Sequence, residues 1–337
     1  MAVSQIYNVN PTDGGVGKGA MREDLSSIIY RIAPEETPFI SNIGKESVSS
    51  TYHEWQQDTL AAANTSNAVE EGKDADDTAF IKPDRVGNYT QISQKTVNVS
   101  MTSQSVDLAG MRTLMDYERA KKGKELRLDM EAILLSNQAA SAGAAGVSAA
   151  GTNTNARKLA GFPTWIKTNT VANGRTPPTM SSGAGNGYPN AGWTGAGTPA
   201  AFSEANLKAL ALAMFNARNK IAPMVMTNGA NKVLFSGFTG IAINRFELDR
   251  VGMAKIIGAA DVYQSDFGVM TAVPNVYMPA NFAYLIDPEY AKVGYLRPFK
   301  STPLARTGDS MREQLIVEYT LVVSNEKAHA VAAGLNA

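Results

Sequence analysis

The chain has 337 residues, enough for two domains or for one domain with large excursions. Its 31 Lys and Arg balance 31 Asp and Glu, so the formal charge is zero, which excludes a protein whose main task is to grip DNA through its phosphates. The absence of cysteine excludes disulfides, thiolate catalysis and thiolate metal sites.

The opening stretch, residues 1–20, is polar and glycine-rich and reads as an arm without a core. It lacks a basic segment followed by an apolar run, so no signal peptide is expected. Glu23 to Ile32 is a short amphipathic segment, with Leu25, Ile28, Ile29 and Ile32 on one side, and Pro34 stops it. Pro38, Phe39 and Ile40 then read as an extended anchor whose two apolar side chains seek a pocket, on a neighbouring subunit or on the chain's own core.

Residues 51–100 read as a long two-stranded excursion. Thr51 to Leu60 and Asn88 to Met101 alternate in the manner of strands, with high Thr and Val content in the second. Between them lies a polar, acidic tip carrying Glu70, Glu71, Lys73, Asp74, Asp76 and Asp77. A two-stranded ribbon with so little apolar content is not stable alone and needs a neighbour to lie on.

Ser103 to Ala140 contains no proline and is dominated by straight-chain helix formers. Its apolar residues return at helical spacing: Leu108, Met111 and Met115, then Leu126, Met130, Ile133 and Leu134. It predicts one continuous helix about 55 Å long. Glu118 with Lys122, Lys121 with Glu125, and Arg127 with Glu131 stand four residues apart, as solvated ion pairs would. Two glycine-, alanine- and serine-rich zones follow, around the apolar island Leu159 to Ile166, and read as loop.

Order resumes at Phe202. Ser203 is a good N-cap, Phe202 with Leu207 matches a hydrophobic staple, and Leu207, Leu210, Ala211 and Met214 form a stripe. This helix, from Leu207 to Phe215 the most apolar helical window, is too short to span a bilayer, and the sequence predicts a soluble protein. Pro223 to Thr227 and Lys232 to Phe235 are expected as buried strands around an Asn228-Gly229 turn, and Phe238 to Leu248 as a helix, giving a mixed α/β unit. Strands are expected at Val262–Val273, Phe282–Ile286, Ala291–Leu296, Leu315–Val323 and His329–Ala333.

The catalytic inventory is thin. Gly17-Lys18 sits in a run that lacks the first glycine and the final Ser or Thr of a phosphate loop. His53-Glu54 begins like a zinc protease motif, but Gln57 replaces the second histidine, and His329 is the one other histidine of the chain. Asp74, Asp76 and Asp77 resemble half a calcium loop, with Ala79 where the turn needs glycine. Gly308-Asp309-Ser310-Met311 echoes a lipase block, yet it stands near the end of the chain, and Glu326 replaces the Asp that should precede His329 by three. The plain readings, a turn and a solvated tip, are preferred, with no catalytic, cofactor or metal site. A Ser310 hydrolase is the remote alternative.

The order of parts resembles the major capsid proteins of tailed bacteriophages, the Hong Kong 97-type fold, of the α+β class. REDLSSIIYRIAPEETPFISNIGK (Arg22 to Lys45) followed by Tyr52-His53-Glu54-Trp55-Gln56 carries one half of the likeness. YLIDPEYAKVGYLRPFKSTPLARTGDSMREQLIVEYTLVVSNEKAHAVAAGL (Tyr284 to Leu335) carries the other. The resemblance implies an N-arm at 1–50, an E-loop at 51–100, a P-domain with its spine helix at 101–160, an axial A-domain at 161–285, and P-domain C-terminal strands at 286–337. It also implies a shell of pentamers and hexamers around double-stranded DNA, assembled in the bacterial host cytoplasm, with no cofactor and no membrane. A portal, and in some members scaffolding and decoration proteins, are the implied partners. An encapsulin-like cellular compartment shares the fold and is the closer alternative. On this reading the acidic tip meets a basic acceptor on the adjoining subunit, with Arg112, Arg119, Lys121 and Lys122 of the spine, or Arg297 and Arg306, as candidates. Lys73 is a salt-bridge partner at the tip, and Phe39 and Ile40 are contact anchors.

Overall fold

The computed structural model of the protein describes residues 35–75, 82–106, 113–143, 156–182, 186–238, 246–248, 254–256 and 261–336. A five-residue helix, α1 (Pro38–Asn42), starts on a proline, whose fixed φ suits a first helical turn, and runs into β1 (Gly44–Ser47). β2 (Tyr52–Gln57) pairs antiparallel with β3 (Asp84–Tyr89), from Tyr52 opposite Tyr89 to Gln57 opposite Asp84. After Thr90 the chain continues as β4 (Gln91–Ser100), then α2 (Met101–Ser105) and α3 (Leu114–Leu135). Next come β5 (Thr170–Val171), β6 (Thr179–Met180), β7 (Pro189–Ala191), α4 (Glu204–Arg218), β8 (Met224–Thr227) and α5 (Gly229–Ser236). The remaining strands are β9 (Phe246–Leu248), β10 (Ala254–Ile256), β11 (Val262–Ser265), β12 (Gly268–Pro274), β13 (Phe282–Ile286), β14 (Ala291–Pro303), β15 (Ser310–Val323) and β16 (Ala330–Ala333).

Four expectations are corrected. The continuous helix over Ser103–Ala140 is two helices: Val106 after α2 and Thr113 before α3 both have extended backbone, and α3 is about 33 Å long. Val106, Asp107, Gly110 and Thr113 fall within eight residues, and their summed weak helix propensity outweighs the absence of proline. Pro38 to Ile40 is helical rather than extended. Lys232 to Phe235 lies inside α5 and not in a strand, because Asn228 is a helix cap: its Oδ1 accepts from the Asn231 N–H at 2.9 Å. Phe246 to Leu248 is a strand, not the end of a helix; residues 239–245 lie outside the described residues, as does the amphipathic segment Glu23–Ile32. Ser203 does cap α4, accepting from the Asn206 N–H at 3.3 Å.

Two sheets carry the fold. The first has the order β1-β14-β15-β4 and is antiparallel except where β1 runs parallel to β14. The second is mixed, in the order β11-β12-β8-β13-β16-β5. The stretch 286–337 therefore divides, with β14 and β15 in the first sheet and β16 in the second.

The second sheet is covered on both faces, and the period of two assigns its residues. Met224 and Met226, Phe282, Tyr284 and Ile286, and Val331 and Ala333 face one apolar cluster with α1, α3 and Phe162. Val225, Ala283 and Leu285, and Ala330 and Ala332 face the other, with α4 and α5. Leu126, Met130 and Leu134 of α3, all expected on its stripe, are buried in the first cluster.

Glu131, expected as a solvated partner of Arg127, is completely buried. Its carboxylate accepts from the Phe39 and Ile40 N–H groups at 2.7 and 2.9 Å, and from Asn275 Nδ2 at 2.7 Å. Those N–H groups begin α1 and have no intrahelical partners, so the carboxylate caps α1 from another helix. Burial raises its pKa against the pull of the three hydrogen bonds and the more distant Arg127. Arg127 instead donates to Ser41 Oγ at 3.2 Å.

A second polar node is equally enclosed. Asp287 pairs with Arg218 at 2.8 Å, and its N–H donates to Nδ1 of the fully buried His329 at 3.2 Å. Burial lowers the His329 pKa to about 4.

Replacing Glu131 by Ala orphans three buried donors and should cost about 3–5 kcal/mol of unfolding free energy in urea titrations. A loss under about 1 kcal/mol would exclude the capping role. For His329, the unfolded chain binds a proton below about pH 6.5 that the folded chain refuses until about pH 4. Stability therefore falls with pH through that window, by about 2 kcal/mol between pH 7 and pH 5. That component should vanish from the pH dependence of a His329→Gln variant.

Candidate assembly surfaces

Residues 58–75, together with Lys82 and Pro83, are exposed without exception. Leu60 is 98% and Val69 67% exposed, so the excursion carries apolar side chains that nothing among the described residues covers. At the tip the chain turns through Gly72, whose φ of +81° suits glycine, and the Lys73 N–H donates to the Glu70 carbonyl at 3.2 Å. Glu70, Glu71, Lys73 and Asp74 are therefore grouped on an exposed turn. Asp76 and Asp77 lie outside the described residues.

The root of the excursion is fixed as firmly as the tip is free. Trp55 Nε1 and Gln57 Nε2 both donate to the Val323 carbonyl, at 3.0 and 3.3 Å. The Trp55 ring packs on Trp165, 5.2 Å between centroids. Tyr52, Tyr89 and Tyr188 form an aromatic knot, and burial pushes the Tyr52 hydroxyl up to about 12. Arg85 pairs with Glu54 across the ribbon. The sequence singled out Tyr52 and Trp55 as bulky members of a strand; that Trp55 is an anchor to β15 is information carried by a residue 268 positions away, and that Tyr52 belongs to an aromatic knot depends on Tyr89 and Tyr188.

The expected basic acceptors are mostly engaged within the chain. Arg119 binds Glu313 at 2.8 Å and Asp116 at 2.9 Å. Lys121 stands 3.8 Å from Glu118 and Lys122 2.8 Å from Glu125, pairs three rather than four residues apart. Arg297 binds the buried Glu318 at 2.7 Å, which also accepts from Arg157 and from Thr90. Arg112 lies outside the described residues. Phe39 and Ile40 are 0% and 3% exposed in the chain's own core, seated there by Glu131, so they present no side-chain surface to a neighbour. Among the exposed cations for which no ion pair is formed within the described residues are those at the far end of the β14–β15 ribbon. Lys300 on β14 and Arg306 in the loop that follows are exposed there, and no ion pair joins either cation among the described residues; Phe299, next to Lys300 in the chain, is 46% exposed. Arg306 was in the sequence-based set; Lys300 was missed, and its only signal was the position of a basic-aromatic pair just beyond an apolar strand.

The residues of the hydrolase reading are not brought together. Ser310 opens β15 and His329 follows its other end. A 14-residue strand is roughly 45 Å long, and the six residues from Val323 to His329 reach back at most about half of that. Among the described residues no three His, Cys, Asp or Glu side chains are grouped to hold a metal ion, and no helix is long and apolar enough to cross a membrane.

The profile of the SU10 major capsid protein family matches residues 5–336. The major capsid protein of Escherichia phage Phieco32 is 29% identical over 325 residues, covering 89% of this chain and 90% of that one. The fold is shared with the capsid of a native GTA particle, with a TM-score of 0.61 at 13% identity over 98% of this chain and all of that one. It is shared with a protein of Gordonia phage Cozz, at 0.56, 12% identity, and 99% and 100% coverage. An encapsulin of Synechococcus elongatus, SrpI, has the same fold at 0.53 and 8% identity, with 95% and 94% coverage. A match across nearly the whole length, on a chain whose longest excursion has no core of its own, settles the family. The chain belongs to the SU10 major capsid protein family, shell proteins of tailed phages with the Hong Kong 97-type fold.

Proposed function

We propose that copies of this chain assemble into pentamers and hexamers that close as the icosahedral shell around a double-stranded DNA genome. The observation that carries this is the excursion at residues 58–75, which is exposed from end to end, apolar at Leu60 and Val69, and rooted by Trp55 and Gln57. A subunit with a rigid root and an uncovered limb gains its missing contacts from neighbours, and many weak contacts repeated around a shell add to a stable whole. The division into N-arm at 1–50, E-loop at 51–100, P-domain at 101–160 and 286–337, and A-domain at 161–285 belongs to this reading. So do assembly in the host cytoplasm, a portal at one vertex, scaffolding or decoration partners, and the lack of any enzymatic step. The neutral overall charge suits a wall that contains DNA without gripping it. The encapsulin-like reading has the fold in its favour but not the sequence family.

Within the shell, the acceptor for Glu70, Glu71 and Asp74 is the far end of β14–β15 on the adjoining copy, at Lys300 and Arg306, rather than the spine cations already paired at home. This contact sets register more than strength, since exposed ion pairs contribute about 0–1 kcal/mol each.

Electron microscopy of the purified protein should show closed shells. Reversing Glu70 and Glu71 to Lys should lower shell yield several-fold at physiological salt while leaving the circular dichroism and unfolding midpoint of the subunit unchanged. Adding Lys300→Glu and Arg306→Glu should restore shells. Normal shells from the first variant, or no recovery in the second, would reject this acceptor.

A further inference from the structure

The edge of the second sheet at β11 is open. β11 pairs with β12 on one side, and among the described residues no strand pairs with the other. The Ala272 N–H donates to the Asp261 carbonyl at 2.7 Å, which fixes the phase of the ladder. Asp261, Tyr263 and Ser265 turn their backbone groups toward β12, and Val262 and Gln264 turn theirs outward. No proline or lysine guards this edge, although these are the residues with which proteins blunt an exposed strand. A groove of about 560 Å³ runs beside it, between β11 and α4, with Lys208, Leu212, Val262 and Phe267 among its walls. Leu212 is 47% and Val262 56% exposed. The walls are held in place by Glu204, which accepts from the Tyr263 hydroxyl at 3.0 Å and from Lys208 at 2.9 Å.

The same unit holds a ribbon that joins no larger sheet among the described residues. There β9 and β10 pair only with each other, Phe246 opposite Ile256 and Leu248 opposite Ala254. A ribbon of two three-residue strands is not stable unaided. Phe-Glu-Leu and Ala-Lys-Ile alternate apolar and charged residues, the pattern of strands with one covered face. Three residues extend about 10 Å and the four of β11 about 13 Å, so ribbon and edge match in length. Five residues, 257–261, separate β10 from β11, enough for a hairpin within one chain, yet the two belong to separate sheets.

We propose that the β9–β10 ribbon of one copy adds to the open β11 edge of the next, extending the second sheet across the subunit boundary. Ribbon and edge are different surfaces of one chain, so the contact is head-to-tail and closes into a ring when repeated about an axis. This inference rests on the shell reading and names the joint that links neighbours within one capsomer.

Hydrogen exchange read by mass spectrometry, on the unassembled subunit and on shells of the full chain, tests it. The amides of Val262 and Gln264 should exchange freely in the subunit and become protected in the shell, together with 246–248 and 254–256. Tyr263 and Ser265 should be protected in both. Gln264→Pro removes one outward N–H and no bond to β12, so it should lower shell yield about tenfold with an unchanged unfolding midpoint, whereas Gln264→Ala should assemble normally. Protection already present in the free subunit would mean that the chain's own ribbon fills the edge, and would overturn the proposal. Shells in which Val262 and Gln264 stay unprotected would overturn it alone, leaving the shell reading intact. No shells at all in the microscope would defeat both.

Discussion

One buried carboxylate joins the three parts of this subunit. Glu131 stands on α3, caps α1 where the N-terminal stretch enters, and holds Asn275 just after β12 of the second sheet. Asn275 in turn donates its N–H to the Thr227 carbonyl at the end of β8. A charge without a cation at hydrogen-bond distance is costly to bury, and here the cost is offset by three donors and the start of a helix. Such an arrangement tolerates little displacement. It makes α1, α3 and the second sheet one rigid body from which the limbs project.

The limbs follow a different rule. The two large clusters of the core lie on opposite faces of the second sheet, both dense with apolar side chains from distant parts of the chain, and a small third one joins β4 to α3. Residues 58–75 have no share in any of them. Their root is held by an indole and an amide on the Val323 carbonyl, and their tip is an acidic turn in water. A rigid root with a free tip defines a reach, and a subunit of a closed shell needs a defined reach more than it needs a large individual contact. Charges on the body obey the same division. The spine cations Arg119, Lys121 and Lys122 are paired at home, while among the described residues no ion pair joins Lys300 or Arg306 at the end of β14–β15.

Local chemistry made much of this legible without coordinates. The Ser203 cap, the stripe on α4, the strands at Phe282–Ile286 and Leu315–Val323 and the exposed acidic turn all depend on neighbours a few residues away, and periodicity and capping oxygens report on such neighbours directly. The long apolar strands and the order of parts were enough to bring the capsid family into view. The same local signals failed where two of them competed. Val233 and Phe235 suggested a strand, but Asn228 had already started a helix. A proline-free run suggested one long helix, and extended backbone at Val106 and Thr113 divides it.

What the sequence determined by itself, then, is the inventory: neutral charge, no thiol chemistry, an excursion in need of a neighbour and apolar strands expected to be buried in a mixed α/β unit. Tertiary structure alone decided where each polar group of the interior goes. Glu131 looked like a surface residue because helical spacing offered it Arg127, and nothing near it in the chain announces Phe39, Ile40 or Asn275 as its partners. A hydrogen bond between residues 92 positions apart is set by how helices and sheets pack, and packing is a property of the whole chain that no short stretch of it encodes.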